Sequence, residues 1–376
     1  MGASRPRSVV VDARALGSSG IGRYLREVLA RLLADPRFAP VTLLGAPDEL
    51  CAFVAGQGGE ERVRVESYPH GFYSPGAHLH WVARRASAAA RADVTFFPHY
   101  DAPFLRFPRR SVVTVHDLIH FRFPGVFPAW KRALAGRVLD RVVARAAHLL
   151  TVSEATRRDL VERCPATAAK TSVVPNGVTP FFHAAGPGGG AGPSPLPGPF
   201  LLCVGNRKPH KNVRAAVDVL ARLRRERPEL RLVVVGRRFE RSDEVTARAE
   251  ECGVRDALVE LDEVDDRTLR GLYRACEAFL FPSLYEGFGL PVLEAMACGA
   301  PVVASDRSSV PEVVGDAGLL TDPLDADAMA GAVRRLQSDP ALRAEMVTRG
   351  HRRASMFTWD RSAALTLDVL HRVARS

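Results

Sequence analysis

The segment Phe281 to Pro301, FPSLYEGFGLPVLEAMACGAP, carries two carboxylates eight positions apart, Glu286 and Glu294, with Gly287, Gly289 and Pro291 between them. The glycines let a ligand come close to the backbone, and Pro291 suits the first helical position, where its missing N–H costs nothing. A helix starting there and stopping at Gly299 aims unpaired N–H groups and a positive dipole end at whatever lies before it, which is a ready anion site. Glu294 alone would be unremarkable, because acidic side chains favour early helical turns. A second Glu, two glycines and a proline in register with it argue for a site.

Three further segments could share that chemistry. Val204 to Asn212, VGNRKPHKN, holds two of the four lysines of the chain, Lys208 and Lys211, beside Arg207. Positive charge at a helix start opposes the dipole, so an anion should offset it. Gly17 to Tyr24, GSSGIGRY, is G-x-x-G-x-G rather than the G-x-G-x-x-G dinucleotide fingerprint, which argues against a dehydrogenase. It reads as a tight turn or as a ligand-facing loop built on Gly20 and Gly22. Thr114 to Ile119, TVHDLI, places His116 and Asp117 after an apolar run, as a structural His or as a cleft-facing pair.

The elements that must position these residues follow from the apolar pattern. Strands are predicted at Ser8–Val11, Val41–Leu44, Val94–Phe97, Ser111–Val115 and His148–Val152, then at Phe200–Val204, Leu232–Val235, Ala278–Phe281 and Pro301–Ala304. Helical spacing appears between them, as in Leu25, Val28, Leu29 and Leu32, or in Val213, Val217 and Leu220. Near-continuous apolar runs alternating with helices mean parallel strands buried on both faces. Ligands of doubly wound sheets sit at the carboxyl ends of the strands, and all four segments lie just after strands. The stretch Ala184–Pro199, AAGPGGGAGPSPLPGP, is too poor in apolar surface to order itself. The expected organisation is therefore an N-terminal domain over 1–183, a linker over 184–199, a C-terminal domain over 200–355 and a terminal helix over 356–376, the two domains facing a cleft.

Composition narrows the function. With 376 residues, 47% hydrophobic and 25% charged, the chain is an ordinary globular protein long enough for two cores. No run approaches the ~20 apolar residues of a membrane span, and Asp12 and Arg14 interrupt the first apolar run, unlike a secretory signal. Six scattered cysteines fit reduced thiols in a cytoplasm. No zinc spacing, P-loop or G-x-S-x-G occurs, and the Asp-Ala-Asp at 325–327 reads as a helix cap rather than a metal motif. The net charge is +10, yet no nucleic-acid motif accompanies it, so a nucleic-acid partner is not expected. The basic helix KRALAGRVLDRVVAR, Lys131 to Arg145, is either a solvated face or a contact for an anionic membrane or phosphorylated acceptor.

The Glu-x7-Glu segment, with the glycine loop, the HDL and the HKN motifs, resembles the retaining GT-B glycosyltransferases, specifically the large fourth sequence family. The resemblance covers nearly the whole chain and implies two Rossmann-like α/β domains. It implies that Glu286 meets the donor sugar hydroxyls and Glu294 the ribose hydroxyls. The loop Gly287, Phe288, Gly289 and Leu290 would offer amides to sugar or phosphate. Arg207 and Lys211 would hold the diphosphate, although many members carry the Arg where this chain has Asn206. Gly20 and Gly22 would approach the donor phosphates or the acceptor, His116 the sugar, and Asp117 would orient His116 or help bind acceptor. Glu263 and Val264 stand where members hold the base with backbone groups. Thr151–Leu160, Val174–Val178 and Phe357–Val373 resemble further family landmarks, the last a helix crossing back to the first domain. Glu286, His116, Arg207 and Lys211 are thus the expected catalytic group. The implied reaction moves a hexose, with retention, from a GDP-mannose, UDP-glucose or dTDP-rhamnose type donor to a hydroxyl of a glycan, lipid-linked or metabolite acceptor. No cofactor or metal is expected, the helix dipole with Arg207 and Lys211 neutralising the leaving diphosphate. An epimerase-like sugar-nucleotide enzyme on the same fold is the alternative.

Overall fold

The computed structural model describes residues 5–18, 20–58, 60–103, 105–123, 125, 128–183, 196–238 and 244–376. Most of the predicted linker therefore lies outside the described residues. The chain divides into two compact units, residues 1–177 with 359–376, and residues 178–358.

Among the described residues the first unit is built on seven strands: β1 Arg7–Asp12, β2 Phe38–Gly45, β3 Val63–Ser67, β4 Val94–Phe97, β5 Ser111–Val115, β6 His148–Thr151 and β7 Thr171–Val173. They are parallel and ordered β3-β2-β1-β4-β5-β6-β7, with Val9 opposite both Val41 and Val94. The second unit has β8 Phe200–Val204, β9 Arg231–Val235, β10 Leu258–Leu261, β11 Ala278–Phe281, β12 Val302–Ser305 and β13 Leu319–Thr321. Its order is β10-β9-β8-β11-β12-β13, again parallel, with Leu201 opposite Leu232 and Ala278. In both sheets the chain starts in the middle, winds to one edge, then returns and winds to the other. The order reverses between β1 and β4 in one unit and between β8 and β11 in the other. At such a switch point the following loops diverge and leave a crevice.

The helices are amphipathic where the spacing predicts them. The helix Gly20–Ala34 buries Leu25, Val28, Leu29 and Leu32 completely. The helix Val213–Leu223 buries Val217, Val219 and Leu220 against Leu201, Leu232 and Val234. The C-terminal helix, Trp359–Arg375, belongs to the first unit. Trp359 is buried with its ring 6.4 Å from that of Tyr24, and Arg31 and Arg37 each reach an aspartate on this helix, Asp360 and Asp368, at 2.7 Å.

The division between units falls before the Gly/Pro-rich stretch rather than in it. Val178 donates its N–H to Phe357 O at 3.0 Å. Phe182 is fully buried with its ring 6.2 Å from that of Tyr273. The short apolar turn at 180–182 thus anchors the segment 178–183 in the second core, which composition alone does not reveal.

Two glycines hold the ends of β8 and β9 together. Gly205 donates to Val235 O at 2.8 Å, and a Cβ on Gly236, whose φ is +145°, would sit 2.0 Å from Gly205 O. Gly236→Ala is therefore expected to destabilise the second unit by about 1–3 kcal/mol or more, from overpacking plus backbone strain. A lowered urea unfolding midpoint would show it; an unchanged midpoint would mean that the two loops are not locked.

Candidate active site

In the second unit the two loops at the β8/β11 switch point hold most of the candidate residues. The loop after β8 runs through Arg207 to Asn212, and the loop after β11 runs through Glu286 to Gly289. The two are tied by their backbones, Leu284 N–H donating to His210 O at 2.8 Å. Asn212 sits in the left-handed region with φ 50°, a conformation Asn tolerates better than most residues. Its side-chain amide donates to Pro282 O at 3.2 Å and Pro323 O at 2.8 Å. Between the loops, Lys211 Nζ donates to Glu286 Oε1 and Oε2 at 2.6 and 2.8 Å. Two side chains far apart in sequence are thus brought into one bidentate ion pair.

The helix Leu290–Cys298 starts directly after this pair. Gly289 is its N-cap with φ +110°, a value that side chains rarely adopt, and Gly299 its C-cap with φ +83°. Pro291 is the second helical residue rather than the first, still in the turn whose N–H groups lack helical partners. The loop before the helix is pinned by serines: Ser308 Oγ donates to Glu286 O at 2.7 Å, and Ser309 Oγ reaches Glu286 O at 3.0 Å and Phe288 O at 2.9 Å. Glu294, on the second turn, is 5% exposed and accepts from the Tyr273 hydroxyl at 3.2 Å. Glu286, Gly287, Phe288, Gly289 and Leu290 are therefore held as one rigid run at a helix N-terminus.

Arg207 is placed differently from Lys211. Its guanidinium is buried and pairs through Nη1 with Glu260 at the end of β10. Glu260 also accepts from the Thr246 hydroxyl at 3.2 and 3.3 Å, and Arg255 and Arg238 lie within 3.3 and 3.6 Å of it. Glu260 is thus a carboxylate hub for three arginines. Nothing in the local sequence marks it, because its partners are scattered from 207 to 255. Beyond it, Glu263 is exposed and paired with Arg237, and Val264 is half-buried in the same loop. His210 is buried beside Lys211 and Lys208, and burial followed by these charges pushes its pKa down to about 3, so it is neutral at physiological pH.

In the first unit the corresponding switch point holds Gly20, Gly22, His116 and Asp117 around β1, β4 and β5. A Cβ on Gly22 would meet Leu16 O at 2.6 Å and Ala15 O at 2.8 Å, whereas a Cβ on Gly20 would meet nothing within 4 Å. Gly22 is required by packing; Gly20 is not. His116 shares a 2.8 Å hydrogen bond with Pro98 O through Nε2, so Nε2 carries the proton, and the ring stands edge-on to Tyr24 at 4.9 Å. Burial holds its pKa below the usual histidine value, leaving a neutral imidazole with Nδ1 as acceptor. The Asp117 carboxylate accepts the Ile119 N–H at 3.1 Å, and Pro98 O supplies a hydrogen bond that orients His116.

A second cluster here is invisible to motif reading. Arg14 follows β1 and is fixed by Asp12 at 2.7 Å and by the Asp101 carbonyl at 2.8 Å, with the Asp101 carboxylate 3.8 Å away. Asp101 Oδ2 also accepts from Tyr73 N–H at 2.7 Å. Burial raises the Asp101 pKa from 3.8 to about 6, with Arg14 and the Tyr73 N–H opposing it. A carboxyl raised on folding contributes stability below pH 3.8 that is lost as pH rises through about 6. The loss is on the order of 3 kcal/mol, and Asp101→Asn is expected to flatten the pH dependence of unfolding free energy across that window. Equal slopes for both proteins in urea titrations would contradict this environment for Asp101.

Among the described residues no group of three or more His, Cys, Asp or Glu could hold a metal ion, and Asp325 caps the helix Ala326–Ser338 by accepting from Asp327 and Ala328 N–H. No described helix is long and apolar enough to cross a membrane.

Comparison with known proteins places this geometry. The family "Glycosyl transferases group 1" matches residues 191–353 and "Glycosyltransferase Family 4" matches residues 18–180. The chain is 32% identical over 290 residues to the O-antigen chain mannosyltransferase B of Escherichia coli, covering 72% of this chain and 73% of that protein. Sucrose-phosphate synthase from Thermosynechococcus elongatus superposes with a TM-score of 0.77 at 21% identity, over 99% of this chain and 100% of the other. Anabaena Alr3699/HepE in complex with UDP and glucose superposes with a TM-score of 0.75 at 18% identity, over 97% and 99% of the two chains. With two Rossmann-like units, each on a parallel sheet, and a paired Lys and Glu at a helix N-terminus, the chain belongs to the fourth family of GT-B glycosyltransferases, enzymes that transfer a sugar from a nucleotide-sugar donor.

Proposed function

We propose that the protein transfers a hexose, with retention of anomeric configuration and without metal, from a nucleoside diphosphate sugar to a hydroxyl of a glycan or glycan-like acceptor. Likeness to a mannosyltransferase makes GDP-mannose the first donor to try, ahead of UDP-glucose and dTDP-rhamnose. The observation that carries the reading is the Lys211–Glu286 pair at the start of the helix Leu290–Cys298. Lys211 and the helix N-terminus are suited to the diphosphate. Glu286 is suited to the sugar hydroxyls and to positive charge on the ring, and Glu294 to the ribose. In the transfer the bond from the anomeric carbon to the phosphate oxygen breaks as the acceptor oxygen attacks on the same face. The leaving phosphate takes the acceptor proton. Arg207, Val264, Gly20, Gly22 and His116 keep the roles the family resemblance implies, and Asp117 serves the acceptor.

Thermal unfolding in EDTA with GDP, UDP and dTDP tests this. Nucleotide at about a hundred times its Kd adds roughly 2.7 kcal/mol to the state that binds it, so a selective rise of several degrees is expected. Lys211→Ala should abolish that rise and cut turnover more than tenfold. No rise with any of the three nucleotides would overturn the donor assignment.

The same proposal includes a membrane-facing surface. Trp130 is 64% exposed at the start of the helix Ala129–Arg145, Lys131 Nζ lies 5.4 Å from its ring centre, and Arg137 and Arg141 are exposed along the helix. An aromatic ring beside several cations suits anionic headgroups. Co-sedimentation with phosphatidylglycerol vesicles, but not with phosphatidylcholine vesicles, is expected, and Trp130→Ala with Lys131→Ala should weaken it several-fold. Equal sedimentation of variant and wild type would remove this helix from the account.

A further inference from the structure

The Lys211–Glu286 pair poses a charge-balance problem that bears on which ligand the site holds best. Glu286 is 9% exposed and Lys211 16% exposed at the side chain, and the ammonium lies within 2.8 Å of both carboxylate oxygens. The carboxylate has little freedom to leave. Its backbone is tied to Ser308 and Ser309, and Gly289 fixes the end of the loop in a left-handed turn. A bound diphosphate would therefore bring a second anion to an ammonium that a buried carboxylate already holds. A buried carboxylate that loses its cation is strongly disfavoured unless other donors replace it.

We infer that Glu286 competes with the diphosphate for Lys211, and that the hydroxyls of the transferred sugar are the donors that settle the competition. The inference rests on the donor-site reading above and adds a consequence to it. With the intact sugar nucleotide bound, hydroxyl groups donate to Glu286 and Lys211 is released to the phosphates. With the bare nucleoside diphosphate bound, no hydroxyls are present, and Glu286 and the phosphates divide one ammonium between them. The site accordingly prefers substrate to product. Departure of the sugar to the acceptor removes the donors to Glu286, and recapture of Lys211 helps expel the nucleotide. Glu294 makes a useful contrast. It is buried on the second turn of the helix that follows the Glu286 loop, where the Tyr273 hydroxyl donates to it.

Isothermal titration of GDP, UDP, GDP-mannose and UDP-glucose, in EDTA at fixed salt, tests the inference on wild type, Glu286→Gln and Glu294→Gln. Glu286→Gln is expected to bind the bare nucleotide roughly tenfold more tightly than wild type and to lose the preference for the sugar nucleotide. Glu294→Gln should show no such tightening. Unchanged or weaker nucleotide binding by Glu286→Gln would overturn the competition, as would equal tightening by both variants, which would reduce the effect to general loss of negative charge. A measurement on wild type alone covers the case in which Glu286→Gln does not fold: the sugar nucleotide must bind more tightly than the nucleoside diphosphate of the same base, and the reverse order overturns the inference. If wild type binds none of the four ligands, the donor-site reading itself fails, and that result is distinct from wild-type binding with the wrong order.

Discussion

One ammonium against one carboxylate, Lys211 on Glu286, joins the two loops on which the candidate donor site rests. Neither residue could hold its position alone. Lys211 follows a short turn whose end, Asn212, is bent into the left-handed region and anchored to two carbonyls. Glu286 sits on a loop that two serine hydroxyls hold by its carbonyl oxygens. Both supports work through hydrogen bonds to backbone carbonyls. The pair is nearly dry because β8 and β11, which launch the loops, are buried at the centre of the sheet. In such surroundings charges interact more strongly than at a surface, so a ligand entering here must answer to both signs of charge.

The same winding occurs in both units, with different use of the reversal point. In the second unit it gathers a lysine, two carboxylates and a helix start. In the first it gathers an arginine locked between two aspartates, a neutral histidine and a glycine packed against carbonyls. Arg14 spans the loops after β1 and β4 much as Lys211 spans those after β8 and β11. Its own guanidinium is more deeply buried than the Lys211 ammonium, so it serves to fix the loops in place. Shared topology therefore sets where polar groups can collect, and the local side chains set whether they bind or brace.

What could be read from the sequence follows a physical line. Strands buried on both faces announce themselves as apolar runs, and Val94–Phe97, Ser111–Val115, Phe200–Val204 and Ala278–Phe281 fall where the runs predict. The strands without such a run, β3, β7, β10 and β13, are the edges of the two sheets. There one side is partly open, and charged residues such as Arg64, Glu66 and Glu260 interrupt the pattern. Glu286, Glu294 and the glycines stood out because their spacing is local. Glu260, Ser308, Ser309, Arg14 and Asp101 did not, because each acquires its role from a partner on another strand or loop. The border at 177–178 was hidden for a similar reason: Phe182 looks like part of a polar run-out until the core that receives it is known.

The placement of Trp359–Arg375 in the first unit has a consequence for how the chain is made. Residues 178–358 form a contiguous unit, so everything its core needs has been synthesised before the final helix emerges. The first unit is begun before it and finished after it: Tyr24 and the helix around it wait for Trp359, more than three hundred residues downstream. Domains generally fold as they leave the ribosome, N-terminal first. Here that order is inverted in its last step. Until Trp359–Arg375 is made, the helix around Tyr24 keeps an apolar face open, while residues 178–358 already hold everything their own core needs.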